Sequence, residues 1–299
     1  MTPCPPADHL QRFAAGTLAA PIAAAFERHV DTCPACRAAL SSVARGQGAT
    51  GRYGRYVVEG VLGVGGMGLL YRARDPELDR AVAIKVVRDL ADAEQRARLL
   101  REARSLAQVS HRNVCQVHDV GVEGDEVWVA MELIDGATLR AWAHTAEPED
   151  RRVALVDAAR GLAAVHDAGL IHRDVKPDNI LVEEGGRVVV CDFGLARGDE
   201  HTGTAPAVIG TPAYLAPEQL TGVGADARTD QFAWALTAWE LLCDERPFAV
   251  EPAARLAMIQ RGPGKRLAID RDTTGILTRA LAADPAARYP SMRDVIAAM

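Results

Sequence analysis

The chain has 299 residues, of which 48% are hydrophobic and 25% charged, with a formal net charge of -6. That composition fits a soluble globular chain of one or two domains whose core is large enough to fold without disulfides. The acidic balance argues against a nucleic-acid-binding surface, and no apolar run reaches the roughly 18 residues that a membrane span needs. The N-terminus lacks the basic start and apolar stretch of a secretory leader, so a cytoplasmic protein with no membrane and no nucleic-acid partner is expected.

Residues 7–45 are rich in Ala, Leu and Arg and read as helical. Within them, His29-Val-Asp-Thr-Cys-Pro-Ala-Cys36 has H-x₃-C-x₂-C spacing. Two thiolates two residues apart, with a histidine one helical turn upstream, can converge on a tetrahedral Zn²⁺. Cys4 is the candidate fourth ligand beside His29, Cys33 and Cys36, and His9 is a weaker choice. A redox disulfide between Cys33 and Cys36 is the main rival, although it lacks a βαβ context and leaves His29 without a role. A plain pair of structural helices is the third reading. So short a segment has little core of its own, so a bound metal would supply much of its folding energy. Cys115, Cys191 and Cys243 fall in apolar segments and read as small buried side chains.

Four glycines between Arg45 and Gly54 mark a linker. The expected organisation is therefore a helical module over 1–45, a linker over 46–54 and a larger domain over 55–299. After the linker, short strand-like runs fall at 56–62, 69–73, 81–86, 114–120 and 127–133, interrupted by a helical stretch over 92–108. Beyond Leu139 the chain reads as mostly helical, with strand runs at 179–182 and 188–191.

The segment Leu62-Gly-Val-Gly-Gly-Met-Gly-Leu-Leu-Tyr71 joins two strand runs, and Gly63, Gly65 and Gly68 fit G-x-G-x-x-G. Glycine lets backbone approach phosphate closely, but this pattern alone is weak. A dinucleotide fold would need a helix directly afterwards, whereas residues 69–73 read as a strand. Val82-Ala-Ile-Lys85 ends an apolar strand on a cation that needs a partner. Glu102 shares a helix face with Leu99 and Leu106, and the simplest account is that it pairs with Lys85. Asp174, Lys176 and Asn179 then crowd into six residues between apolar segments, and Asp192-Phe-Gly194 follows at a strand end. Asn179 and Asp192 together make an oxygen-ligand pair suited to Mg²⁺.

With these motifs in order, and with Ala216-Pro-Glu218 after them, residues 56–299 resemble the eukaryotic-type protein kinase family. The resemblance implies an α+β fold, a bilobal kinase with a β-rich small lobe and an α-rich large lobe. It implies ATP and Mg²⁺ as cofactors and protein substrates as partners. Asp174 would accept the substrate hydroxyl proton, Lys176 would neutralise the transferred phosphate, and Lys85 with Glu102 would grip the nucleotide. Nucleotide contacts would come from Leu62, Gly63, Val64, Gly65, Gly66, Met67, Gly68, Leu70, Ala83, Glu132 and Ile134, with Asn179 and Asp192 on magnesium. Lys176 and the segment Gly210-Thr-Pro-Ala-Tyr-Leu-Ala-Pro-Glu218, with Thr211 near Asp174, match the serine/threonine class. Glu218 is expected to pair with Arg288, and Asp230 to support the catalytic-loop backbone. Leu106, Val117, His172 and Phe193 match the apolar spine of active kinases. Arg173 implies control by autophosphorylation at Thr202 or Thr204. The N-terminal segment resembles the zinc-containing anti-sigma factor domain, a module that would sense a signal or dock a regulatory protein. The alternative from another class is a kinase-fold scaffold whose zinc module does the binding.

Overall fold

Alternating apolar residues between positions 56 and 87 build three long antiparallel strands. The structure is a computed structural model that describes residues 4–6, 9, 12, 22, 26, 29, 33, 36 and 39, then 51–65, 68–88, 90, 92–194, 212–249, 251–263 and 269–299. The chain divides into two compact units, Met1–Ala107 with Val117–Leu133, and Gln108–Gln116 with Ile134–Met299.

In the first unit, β1 (Arg52–Tyr53), β2 (Tyr56–Gly65), β3 (Gly68–Asp75), β4 (Arg80–Val87), β5 (Val117–Glu123) and β6 (Glu126–Glu132) form one sheet in the order β1-β2-β3-β4-β6-β5. Leu70 pairs with Lys85, and Lys85 with Val129, so these three share one face. Tyr71, Ile84 and Ala130 pair in the same way on the opposite face. Helix α1 (Ala93–Leu106) begins at Asp92, whose carboxylate accepts from the Gln95 N–H at 2.7 Å. It buries Leu99, Ala103 and Leu106 and packs against β5 and β6. The described residues 9, 12, 22, 26, 29, 36 and 39 of the N-terminal segment are helical.

The second unit is helical around a small sheet of β7 (Gly136–Thr138), β8 (Ile180–Glu183) and β9 (Val188–Val190). Its helices are α2 (Leu139–Ala143), α3 (Pro148–Asp167), α4 (Pro217–Thr221), α5 (Ala227–Cys243), α6 (Pro252–Arg261), α7 (Arg271–Ala280) and α8 (Met292–Ala298). Helix α5 is buried almost all round, as the central helix of a core must be. The Trp234 indole N–H in it donates to the Leu155 carbonyl at 3.0 Å. Helix α3 comes close to the segment before β5 only because residue 161 is glycine: a Cβ there would lie 2.4 Å from the Asn113 carbonyl oxygen.

Two expectations need correction. The strand run at 114–120 begins only at Val117, because the backbone at 113–115 bonds Val190 instead (Val190 N–H to Asn113 O, Cys115 N–H to Val190 O, both 2.9 Å). The end of the expected linker is a strand. Arg52 and Tyr53 pair with β2, and the buried Tyr53 ring sends its hydroxyl to Glu126 at 3.1 Å.

The expected pair Glu218–Arg288 is present, bidentate at 2.7 and 2.9 Å, with both side chains buried. Thr229 also donates to Glu218, and Arg288 donates to the carbonyls of Ala282 and Arg228. Removing one partner strands a buried charge, so Arg288→Ala is expected to cost about 3–5 kcal/mol in denaturant unfolding. A loss under about 1 kcal/mol would contradict the central place given to this pair.

Candidate active site and metal cluster

The loop from Ile171 to Asn179 lies between α3 and β8, and a buried carboxylate governs its backbone. Asp230, in the first turn of α5, is 1% exposed. It accepts from the His172 N–H at 2.7 Å, the Arg173 N–H at 2.8 Å and His166 Nε2 at 2.8 Å. Arg173 has φ 65°, a left-handed conformation that a bulky residue holds only when its surroundings over-determine it. Asp230 provides that constraint.

Asp174 follows directly. Its carboxylate lies 3.0 Å from Lys176 Nζ and accepts from Asn179 Nδ2 at 3.0 Å, while the same Nδ2 also donates to the Asp174 carbonyl at 2.8 Å. Asn179 thus spends its amide hydrogens on Asp174 and keeps Oδ1 as an acceptor suited to a cation. The Cys191 N–H donates to the Asn179 carbonyl at 2.8 Å, which brings Asp192 beside Asn179 at the end of β9. Asp192 is exposed and also left-handed, with φ 58°. Two oxygen ligands on adjacent backbones fit a hard cation such as Mg²⁺.

His172 ties these pieces together. Its Nε2–H donates to the Cys191 carbonyl at 2.9 Å, and its ring lies 4.6 Å from that of Phe193. The Asp174 N–H approaches its Nδ1 at 3.3 Å, which fits the neutral imidazole. Burial pushes the His172 pKa below its ordinary value, against the opposing pull of Asp230 and Asp174.

A group that the motifs did not reveal flanks the same loop. Arg140 in α2 donates to both oxygens of Asp178 at 2.8 Å, to Glu240 at 2.6 Å and to the Tyr214 hydroxyl at 2.7 Å. Tyr214 in turn donates to Glu240, and Arg246 adds a second cation to Glu240. Burial works against charge on Asp178 and Glu240, but the hydrogen bonds to Arg140 and Tyr214 outweigh it and lower both pKa values. Arg140 lies 38 to 100 positions from its three partners, so no local spacing could signal them.

In the first unit, Leu70, Ala83 and Lys85 share one sheet face, with Leu62 and Gly63 on β2 and Glu132 at the end of β6. Gly68 is obligatory: its φ is 148°, and a Cβ would lie 1.8 Å from the Val86 carbonyl oxygen. Glu102 is half-buried on α1 between Leu99 and Leu106, as its spacing implies. Leu106 and Val117 are buried in this unit, and Ile134 begins the second stretch of the other. Gly66, Met67, Thr202, Thr204 and Thr211 lie outside the described residues, as does the side chain of Val64.

The N-terminal segment gathers its four candidate ligands. The donor atoms of Cys4, His29, Cys33 and Cys36 all lie within 4.8 Å of one another. Cys4 Sγ is 3.8 Å from Cys33 Sγ, and His29 Nε2 is 3.2 Å from Cys36 Sγ. A helical turn closed by the Cys33 N–H on the His29 carbonyl, at 2.8 Å, sets the spacing of these two residues. Burial pushes the Cys36 thiol up to about 12, with the neighbouring sulfurs of Cys4 and Cys33 adding to it. A divalent cation reverses that balance, and three sulfurs with one imidazole nitrogen are a donor set for tetrahedral Zn²⁺.

Comparison with known proteins agrees with both parts. The protein kinase domain family matches residues 56–296, and a zinc-finger family matches residues 7–37. The chain is similar to serine/threonine-protein kinase PknJ of Mycobacterium tuberculosis, 36% identical over 258 residues, covering 79% of this chain and 43% of that protein. It is also similar to PknB of the same species, 37% identical over 261 residues, covering 81% of this chain and 42% of the relative. It therefore spans less than half the length of these curated relatives. Among solved structures, the M. tuberculosis PknI kinase domain superposes with a TM-score of 0.66 at 30% identity, covering 83% of this chain and 96% of that domain.

The neutral, buried His172 makes stability pH-dependent. Its folded pKa lies below the ordinary 6.5, so the unfolded chain binds the extra proton more readily. That contribution is fully present above 6.5 and is lost as pH falls below it. Unfolding free energy should therefore drop between about pH 7 and about pH 5.5, and drop less in His172→Phe; equal slopes in both proteins would contradict this.

Proposed function

The chain belongs to the protein kinase family, and from that premise we propose that it transfers the γ-phosphate of ATP to serine or threonine hydroxyls of protein substrates. The observation that carries this reading is the Asp174 carboxylate, held by Lys176 and Asn179 on a loop that Asp230 fixes.

In this reading Asp174 orients the substrate hydroxyl and accepts its proton as the oxygen attacks the phosphorus. Lys176, 3.0 Å from that carboxylate, offsets the negative charge of the transferred group. Asn179 and Asp192 would hold Mg²⁺, which neutralises phosphate charge when bound. Lys85, supported by Glu102, would grip the α- and β-phosphates. The segment from Leu62 to Gly68, with Leu70 and Ala83, would cover the nucleotide, and the backbone of Glu132 and Ile134 would meet adenine. Lys176 and the segment from Gly210 to Glu218 support the serine/threonine class. Arg173 supports activation by phosphorylation at Thr202 or Thr204.

The N-terminal segment, in the same reading, binds one Zn²⁺ through Cys4, His29, Cys33 and Cys36 and docks a regulatory protein. A cytoplasmic signalling role is part of the same reading; among the described residues no helix is long and apolar enough to cross a membrane.

Asp174→Asn should lower phosphate transfer by about a thousandfold or more while ATP affinity changes little, since the carboxylate acts on the acceptor. Near-normal turnover in that variant would sink the kinase reading. Metal analysis under reducing conditions should find one zinc per chain, lost in Cys33→Ser. A metal-free wild-type protein that takes up no added zinc would sink the zinc reading.

A further inference from the structure

The two faces of the sheet in the first unit differ: along β3 the residues of one face are half-buried or exposed, and those of the other are buried. Leu70, Ala83 and Lys85 lie on one side. The other carries Tyr56, Tyr71, Ile84 and Trp128, exposed by only 0%, 1%, 0% and 6%. An apolar face this wide needs a cover. The buried residues of α1, Leu99, Ala103 and Leu106, are not part of the cluster that these aromatics form. Phe26 and Cys36 are, at 2% and 5% exposure, and Cys33 packs against it. Phe26 and Cys36 of the N-terminal segment are therefore part of the sheet core, and Cys36 is both a core residue and a candidate metal ligand.

We propose that metal binding at Cys4, His29, Cys33 and Cys36 locks the N-terminal segment onto this rear sheet face, so that metal occupancy sets the order of β1, β2, β3 and β6. The proposal rests on the zinc reading above and goes beyond it. So short a segment has little core of its own, and the metal would tie Cys4, His29, Cys33 and Cys36 into one body. That body presents Phe26 and the buried side of Cys36 to the sheet. When the metal leaves, the segment loses its crosslink and the cover lifts from Tyr56, Tyr71 and Trp128. The strands affected carry the parts assigned to the nucleotide: Val61 and Leu69 flank the glycine-rich turn, and Val86 follows Lys85, all three within the same cluster. The Tyr53 and Tyr56 hydroxyls bond inside the sheet unit, to Glu126 and Asp119, so the metal acts on the apolar contact with Phe26 and not on these two bonds.

The test is amide hydrogen exchange on the full chain in three states: zinc-loaded, stripped with a chelator under reducing conditions, and reloaded with zinc. Residues 52–75 and 126–132 report the rear face, and 227–243 in α5 serve as the internal control. Removing zinc should speed exchange in the reporter strands by about tenfold or more, leave α5 unchanged, and be reversed by zinc. Phe26→Ala should give the same acceleration while still retaining one zinc, which separates docking from metal binding. A protein that binds zinc but shows the same strand exchange with and without it overturns the proposal alone. So does acceleration that extends equally to α5. A protein that binds no zinc overturns the proposal together with the zinc reading.

Discussion

The Asp230 carboxylate is the fixed point on which the loop from Ile171 to Asn179 depends. One buried side chain accepts three hydrogen bonds, two of them from the consecutive backbone amides of His172 and Arg173. Arg173 is thereby kept at a positive φ, a conformation costing on the order of 1–3 kcal/mol unless its surroundings enforce it. A carboxylate can do this because it has lone pairs enough for all three donors and carries the charge that strengthens each bond. Its position on α5, the most deeply buried helix of the second unit, ties the loop to the rigid part of that unit.

Other contacts hold the loop from either side. His172 links it to the strand end at Cys191 through its ring nitrogen, and the Gly194 N–H returns to the His172 carbonyl at 2.9 Å. At the far end of the loop, Arg140 gathers Asp178, Glu240 and Tyr214 into one charged network. Between these anchors, Asp174 has little freedom beyond its contacts with Lys176 and Asn179. Phosphoryl transfer asks a protein for positioning and charge more than for covalent chemistry, and a loop clamped at both ends supplies positioning.

Much of this was legible in the sequence because the chemistry sits on short, continuous motifs. Asp174, Lys176 and Asn179 fall within six residues, and the structure brings them together at 3.0 Å. Glu218 with Arg288 and the support from Asp230 were also readable from family order, although their partners lie 57 to 70 positions away. What stayed hidden depends on contacts that no periodicity encodes. Arg140 belongs to no motif, and its part shows only once Asp178, Glu240 and Tyr214 are seen around it. Tyr53 reads as part of a glycine-rich linker, yet its ring belongs to the sheet core. Val114 and Cys115 fall in the expected strand run at 114–120, but the backbone there bonds Val190. In each case tertiary partners override the local pattern.

The account stands on Asp230 positioning Asp174 through the loop backbone. The most direct test is the kinetics of Asp230→Asn, in which one amide oxygen replaces a carboxylate and can no longer serve both backbone donors and His166. Positioning through the backbone predicts that kcat for phosphate transfer falls by about a hundredfold while ATP affinity stays within about twofold. An unchanged kcat, in a variant that folds as wild type does, would contradict it.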